Sequence, residues 1–226
     1  MCGIYGYLSP STIDPAVLRR MGHTLRHRGP DDEGEVILES SDLSVGLGHK
    51  RLSIIDLSPA GNQPMTNEDE TIWITFNGEI YNFQELRRSL EGKGHTFRSH
   101  SDTEVVVHLY EELGIKCLDE LNGMFAFALW DAKRQTLFLA RDRVGKKPLH
   151  YCIAGGHFVF ASEIKALLQH PMVSRQLDFT SLNKYLAFEY VPAPHSIFKA
   201  IKKLEPGYYM LFHNGAVVTS QYWDIP

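Results

Sequence analysis

Cys2 and the pair Asn77-Gly78 are the residues whose types and positions could carry out a nucleophilic reaction. Removal of Met1, expected before a small second residue, leaves Cys2 with both a thiol and a free α-amine. A thiol ionises near a pKa of about 8.5 and an α-amine near about 7.7–8.0. The amine is therefore partly neutral at cellular pH and can take the thiol proton, directly or through one water. One residue then supplies nucleophile and base, and no histidine is needed. The Asn77 amide and the Gly78 N–H could stabilise an oxyanion, since glycine lets its backbone approach a ligand closely. Taken singly, each feature has a plainer reading. Cys2 is then a small residue at a strand start, and Asn77-Gly78 is a turn.

These residues need rigid elements to hold them. An apolar run over 4–8 reads as a strand directly after Cys2, and another over 71–76 leads into Asn77. Asp14 followed by Pro15 marks a helix start, with the helix reaching about Arg26. Strands are expected near 35–40 and 43–49. Asn82 with Glu85 resembles a capping box opening a helix to about Glu91, ended by Gly92 and Gly94. Asp102 opens another helix, in which Val105, Val106, Leu109 and Leu113 recur at helical spacing before Gly114. Strands follow over 124–130, 136–140, 149–153 and 158–161, with Gly155-Gly156 as a hairpin turn. Helices near 163–169 and 179–187 precede an ordered loop at 190–195. A last hairpin pairs 208–212 with 217–222 and turns at Asn214-Gly215. Many strands with few helices point to antiparallel sheets covered by helices.

Composition narrows the class. The 226 residues suffice for one large domain, and 43% are hydrophobic, which excludes a disordered chain. Net charge is −4 with both signs interspersed, so no nucleic-acid footprint is expected. No run approaches the roughly 20 apolar residues that span a bilayer, and no secretory signal is visible. The three cysteines, Cys2, Cys117 and Cys152, cannot all pair, so a reducing cytoplasm is the expected location. Cys117 and Cys152 read as small core residues. The eleven histidines have no metal-ligand spacing, so no metal site is expected, and His49 reads as a strand-end residue.

Ordered motifs run through the chain: Cys2-Gly3-Ile4, His27-Arg28-Gly29-Pro30-Asp31, Arg51 to Asp56, Gln63-Pro64, and Asn77 to Asn82. Ser101 to Glu104, Gly123 to Phe127, Arg141-Asp142-Arg143 with Gly145 and Pro148, and Ser162 to Leu167 continue the series. With these motifs the chain resembles the glutaminase domains of asparagine synthetases. Those domains belong to the class II glutamine amidotransferases, which are N-terminal nucleophile hydrolases. The resemblance implies an α+β fold of four layers, αββα, with two antiparallel sheets stacked between helices. It implies that Cys2 attacks the side-chain amide of L-glutamine and that Asn77 and Gly78 hold the oxyanion. Arg51 is implied to grip the substrate carboxylate, and Asp102 and Glu79 to receive its ammonium. Plainer roles stand beside these: Asp102 as a helix cap, Arg51 as a surface ion-pair residue, and Glu79 as a backbone contact. His27 and Arg28 read as a structural loop near the site. His150 stands where the family usually has tyrosine.

The resemblance also implies a partner. In the family a second, ATP-dependent domain uses the ammonia to convert aspartate to asparagine. Its phosphate-binding Ser-Gly-Gly-x-Asp-Ser loop does not occur here, and the run 222–226 resembles the junction with it. Residues 1–226 are therefore expected to form the glutaminase domain alone. It needs no cofactor, ATP and Mg²⁺ belonging to the absent synthetase domain, and it could form a homodimer. Other ammonia acceptors, a non-catalytic glutamine-binding domain and an acylase relative are the alternatives.

Overall fold

A computed structural model describes residues 1–40, 43–213 and 215–225. The chain opens with strand β1 (Gly3–Ser9), helix α1 (Pro15–Thr24), β2 (Asp32–Glu39) and β3 (Ser44–Arg51). Next come β4 (Met65–Thr66), β5 (Ile72–Ile80), α2 (Phe83–Gly92), α3 (Asp102–Leu113) and the single turn α4 (Cys117–Glu120). Strands β6 (Gly123–Asp131), β7 (Thr136–Arg141), β8 (His150–Ala154) and β9 (His157–Ala161) follow. The chain then forms α5 (Ile164–Leu167), α6 (Phe179–Phe188), β10 (Ile201–Lys203), β11 (Tyr208–His213) and β12 (Ala216–Gln221).

The strands make two six-stranded sheets. One has the order β10-β8-β9-β1-β3-β2 and the other β12-β11-β7-β6-β5-β4. All their pairings are antiparallel. Alternation along the strands builds the layers, because successive side chains point to opposite faces. On β1, Ile4 and Leu8 enter the core between the sheets, while Tyr5 and Tyr7 join Leu18 and Met21 of α1. On β6, Ala126, Ala128 and Trp130 point between the sheets, and Phe125, Phe127 and Leu129 point to Val105, Val106 and Leu109 of α3. The expected αββα sandwich is thus formed, with one core between the sheets and one under each helical layer.

Two buried polar contacts cross from sheet to sheet. Thr75 Oγ1 donates to the Gly48 carbonyl at 3.0 Å, and His49 Nε2 lies 3.1 Å from the Phe76 carbonyl. They fix β3, which ends at Arg51, over β5, which carries Asn77.

Several local expectations need correction. Asn77-Gly78 is no turn; both lie inside β5, paired with Ala126 and Phe125 of β6. Asn82 makes no capping bond, because its amide is drawn across to the Glu120 carbonyl and the Asn122 N–H. Asp102 is not the cap of α3. Ser101 is, accepting from the Thr103 N–H, and Asp102 is the first helical residue. His49 is not at a strand end but buried within β3, with its side chain toward β5. Helix α5 is shorter than the run 163–169. Asp14 does cap α1, with Pro15 behind it. Gly155-Gly156 turns the β8–β9 hairpin with both φ values positive. Of the final hairpin turn, Asn214 lies outside the described residues, as does Pro226 of the closing run.

Leu47 is fully buried between the sheets. Leu47→Ala should lower the unfolding free energy by about 2–5 kcal/mol through lost burial and the cavity left behind. Urea denaturation checks this, with a shifted midpoint and an unchanged slope.

Candidate active site

The cleft opens where the start of β1, the ends of β3 and β5 and the start of α3 converge. It is lined by Cys2, Arg51, Asn77, Gly78, Glu79 and Asp102, so folding brings all six sequence-derived candidates together. His49, Gln63 and Lys147 also line it.

Cys2 is held from two sides. Ser162 clamps the strand that follows, its Oγ accepting from the Ile4 N–H at 3.0 Å and its N–H donating to the Ile4 carbonyl at 2.9 Å. Arg28 Nε donates to the Cys2 carbonyl at 2.8 Å, and Arg28 Nη1 pairs with Glu163 at 2.9 Å. His27 joins the same carboxylate at 2.9 Å. His27-Arg28 and Ser162-Glu163 are therefore one brace on the Cys2 backbone, closer to the cleft than a plain structural loop. The thiol lies against Leu52, whose N–H reaches Sγ at 3.4 Å and whose carbonyl lies at 3.6 Å.

Asn77 is 1% exposed, and its Nδ2 has no hydrogen-bond partner among the described residues. A buried amide donor left unpaired costs about 1–3 kcal/mol unless a ligand satisfies it. Gly78 is required for a reason beyond ligand approach. A Cβ there would lie 2.4 Å from the Met124 carbonyl on β6.

The charged anchors separate by sign. Arg51 is buried at the end of β3 and donates to the carbonyls of Ser58 (3.0 Å) and Asp56 and to Asn62 Oδ1 (2.5 Å). It makes no ion pair among the described residues, so its charge is uncompensated and free to meet a carboxylate. Asp102 is 5% exposed, and its Oδ2 accepts from the Ile80 N–H at 2.9 Å. Burial above all, with Glu79 adding its charge, pushes the Asp102 carboxyl up to about 6, against the pull of the Ile80 N–H. Two carboxylates that line one cleft and make no ion pair among the described residues can seat an ammonium.

Two residues of the cleft carry no site role in the sequence reading. Lys147 is buried, and burial holds its ammonium below the usual lysine range. It stands on a loop tied down by Asp142, which accepts from the N–H groups of Val144, Lys146 and Lys147. Arg141 spans the same loop, donating to the carbonyls of Gly145 and Lys147. The Arg141-Asp142 motif was legible; its cargo, Lys147, was not. His49 is held neutral, since burial pushes it down to about 3. Its pairing with Phe76 across the sheets is a tertiary fact with no local signature.

With this geometry established, comparison with known proteins decides the family. A family model described as a glutamine amidotransferase domain matches residues 1–223. The chain belongs to the glutamine amidotransferase domain family. Within it, this is a class II domain. It is 41% identical over its whole length to asparagine synthetase [glutamine-hydrolyzing] 3 of Bacillus subtilis, covering 37% of that protein. It is 36% identical to putative asparagine synthetase [glutamine-hydrolyzing] 2 of Methanocaldococcus jannaschii, again over its whole length and 47% of the relative. The chain thus spans well under half, or about half, of these relatives. Among solved structures, glutamine phosphoribosylpyrophosphate amidotransferase of B. subtilis superposes with a TM-score of 0.70 over 98% of this chain and 49% of the other, at 20% identity. That likeness supports the fold. No helix among the described residues is long and apolar enough to cross a membrane.

With Met1 in place, burial pushes the Cys2 thiol up, opposed by the Leu52 N–H, the terminal ammonium and the charges of Lys147 and Arg51. Lys147→Met should raise the thiol pKa further. The rate of iodoacetamide alkylation at Cys2, followed against pH by peptide mapping, should shift its midpoint to higher pH; an unmoved midpoint would show that Lys147 does not act on the thiol.

Proposed function

We propose that this cleft hydrolyses L-glutamine to glutamate and ammonia, with Cys2 as nucleophile once Met1 is removed. The reading is carried by the unpaired Asn77 amide, buried in the same cleft as the Cys2 thiol, between an uncompensated cation and a pair of carboxylates. An α-amino acid has one charge of each sign to match them. Arg51 binds the substrate carboxylate, and Asp102 with Glu79 binds its ammonium, which orients the side-chain amide toward Cys2.

The Cys2 α-amine takes the thiol proton as sulfur attacks the carboxamide carbon. The resulting oxyanion is met by Asn77 Nδ2 and the Gly78 N–H, donors fixed in place before the charge develops. The ammonium of Cys2 then protonates the leaving nitrogen, the C–N bond breaks, and ammonia departs. A γ-glutamyl thioester remains. Water adds to it with the amine again as base, and cleavage of the C–S bond releases glutamate and restores the thiol. Each step uses residues of this chain alone, without a cofactor.

The relatives carry further sequence beyond the matched region, and they are named as glutamine-hydrolysing asparagine synthetases. We assign the ammonia to an ATP-dependent synthetase domain of that kind, which would convert aspartate to asparagine.

Two measurements test the site. Cys2→Ala should abolish ammonia release while leaving the fold intact, and Asn77→Ala should lower kcat by about 10²–10³ with a smaller change in KM. Equal loss in an Arg51→Ala control on kcat rather than KM would contradict the division of roles. The second measurement is the pH profile. Asp102 must be ionised to receive an ammonium and is protonated below about 6 in the free site. The kcat/KM for glutamine should therefore fall as pH drops through about 6. Asp102→Asn should lower kcat/KM and remove that limb.

A further inference from the structure

Outside the cleft, three side chains converge where the end of α2 meets α3. His95 lies in the connection after α2, and His108 and Glu111 are one turn apart on α3. His95 Nδ1 is 3.2 Å from His108 Nδ1, His108 Nδ1 is 2.7 Å from Glu111 Oε2, and His95 Nδ1 is 3.6 Å from that oxygen. Ligand atoms around a tetrahedral metal at about 2.0–2.1 Å are spaced by about 3.3–3.4 Å. Two of the observed separations are near that size, and the third, His108 to Glu111, is at hydrogen-bond length.

The outer atoms of His95 and Glu111 are engaged elsewhere, which turns their inner atoms toward the cluster. His95 Nε2 faces Glu112 Oε1 at 3.1 Å. His108 Nε2 faces Glu104 Oε1 at 3.9 Å, and Glu104 is itself anchored by the N–H groups of Arg98 and Ser99. Glu111 Oε1 accepts from Asn67 Nδ2 at 2.8 Å, leaving Oε2 for the cluster. A carboxylate behind an imidazole, as Glu112 is behind His95, is the usual outer shell of a histidine-ligated metal, where it sets the tautomer and strengthens the ligand. The two Nδ1 atoms and Glu111 Oε2 point at one space, where a single cation can be shared by all three.

We propose that His95, His108 and Glu111 bind a divalent transition-metal ion, with zinc the best match to two imidazoles and one carboxylate. His108 is 1% exposed, whereas the side chains of His95 and Glu111 reach the surface, so a water can complete the coordination. The metal joins the α2–α3 connection to the helix whose first residue is Asp102.

The test uses the Cys2→Ala chain, which removes the one partly exposed thiol as a competing ligand. Zn²⁺ is titrated against a chromophoric chelator, and Co²⁺ is added separately to read coordination from its visible absorption. One tight equivalent, an intense tetrahedral Co²⁺ band and a raised Tm are expected. His95→Gln and Glu111→Gln should each weaken binding at least about tenfold, and Glu112→Gln by about tenfold through the outer shell. A folded protein that takes up no stoichiometric Zn²⁺, or one whose affinity is the same in His95→Gln and Glu111→Gln, overturns the proposal.

Discussion

The stacking of β3 over β5 is the constraint on which the site depends. Apolar side chains between the sheets favour contact but tolerate sliding, because hydrophobic attraction has no direction. The Thr75–Gly48 and His49–Phe76 contacts do have direction. Buried and unpaired, those groups would each cost more than a paired one contributes, so the sheets settle where the bonds form. In that one alignment the end of β3 delivers Arg51 beside Asn77 of β5, and β1, the neighbour of β3, delivers Cys2.

The cleft then works by unmatched polarity. Arg51 is surrounded by carbonyl oxygens, which orient the guanidinium without neutralising it. Asp102 and Glu79 line the cleft without an ion pair, and the Asn77 Nδ2 donor has no partner, among the described residues. Each of these destabilises the empty protein, and each is relieved by an amino acid of the proposed kind. The groups that position the site are themselves tied down. Asp142 and Arg141 hold the Lys147 loop, and Glu163 holds Arg28 against Cys2.

Helix α3 links the two chemically active regions. Its first residue faces the cleft, and His108 and Glu111 farther along face the His95 connection. Ser101 caps it, and Glu104 ties its first turn to the incoming loop. The same helix therefore carries both Asp102 at the cleft and part of the His95–His108–Glu111 cluster.

Much of this could be read from the sequence. Alternating apolar residues gave nearly all the strands, Asp14-Pro15 gave the start of α1, and the motifs around Cys2, Arg51, Asn77 and Asp102 gave the candidate residues of the cleft. These signals are local, set by backbone preference and by side chains a few positions apart. Where the sequence reading failed, the deciding partner was distant. Asn82 has the form of a cap, but the amide bonds to residues near 120 instead. Asn77-Gly78 has the form of a turn, yet pairing with β6 holds it extended. His49, Lys147 and the meeting of His95 with His108 left no pattern in the spacing. Those positions depend on which sheet face meets which, and that is settled by long-range packing and cross-sheet hydrogen bonds. Sequence determined the elements and the chemistry available to them; tertiary structure decided which groups would be left unpaired together.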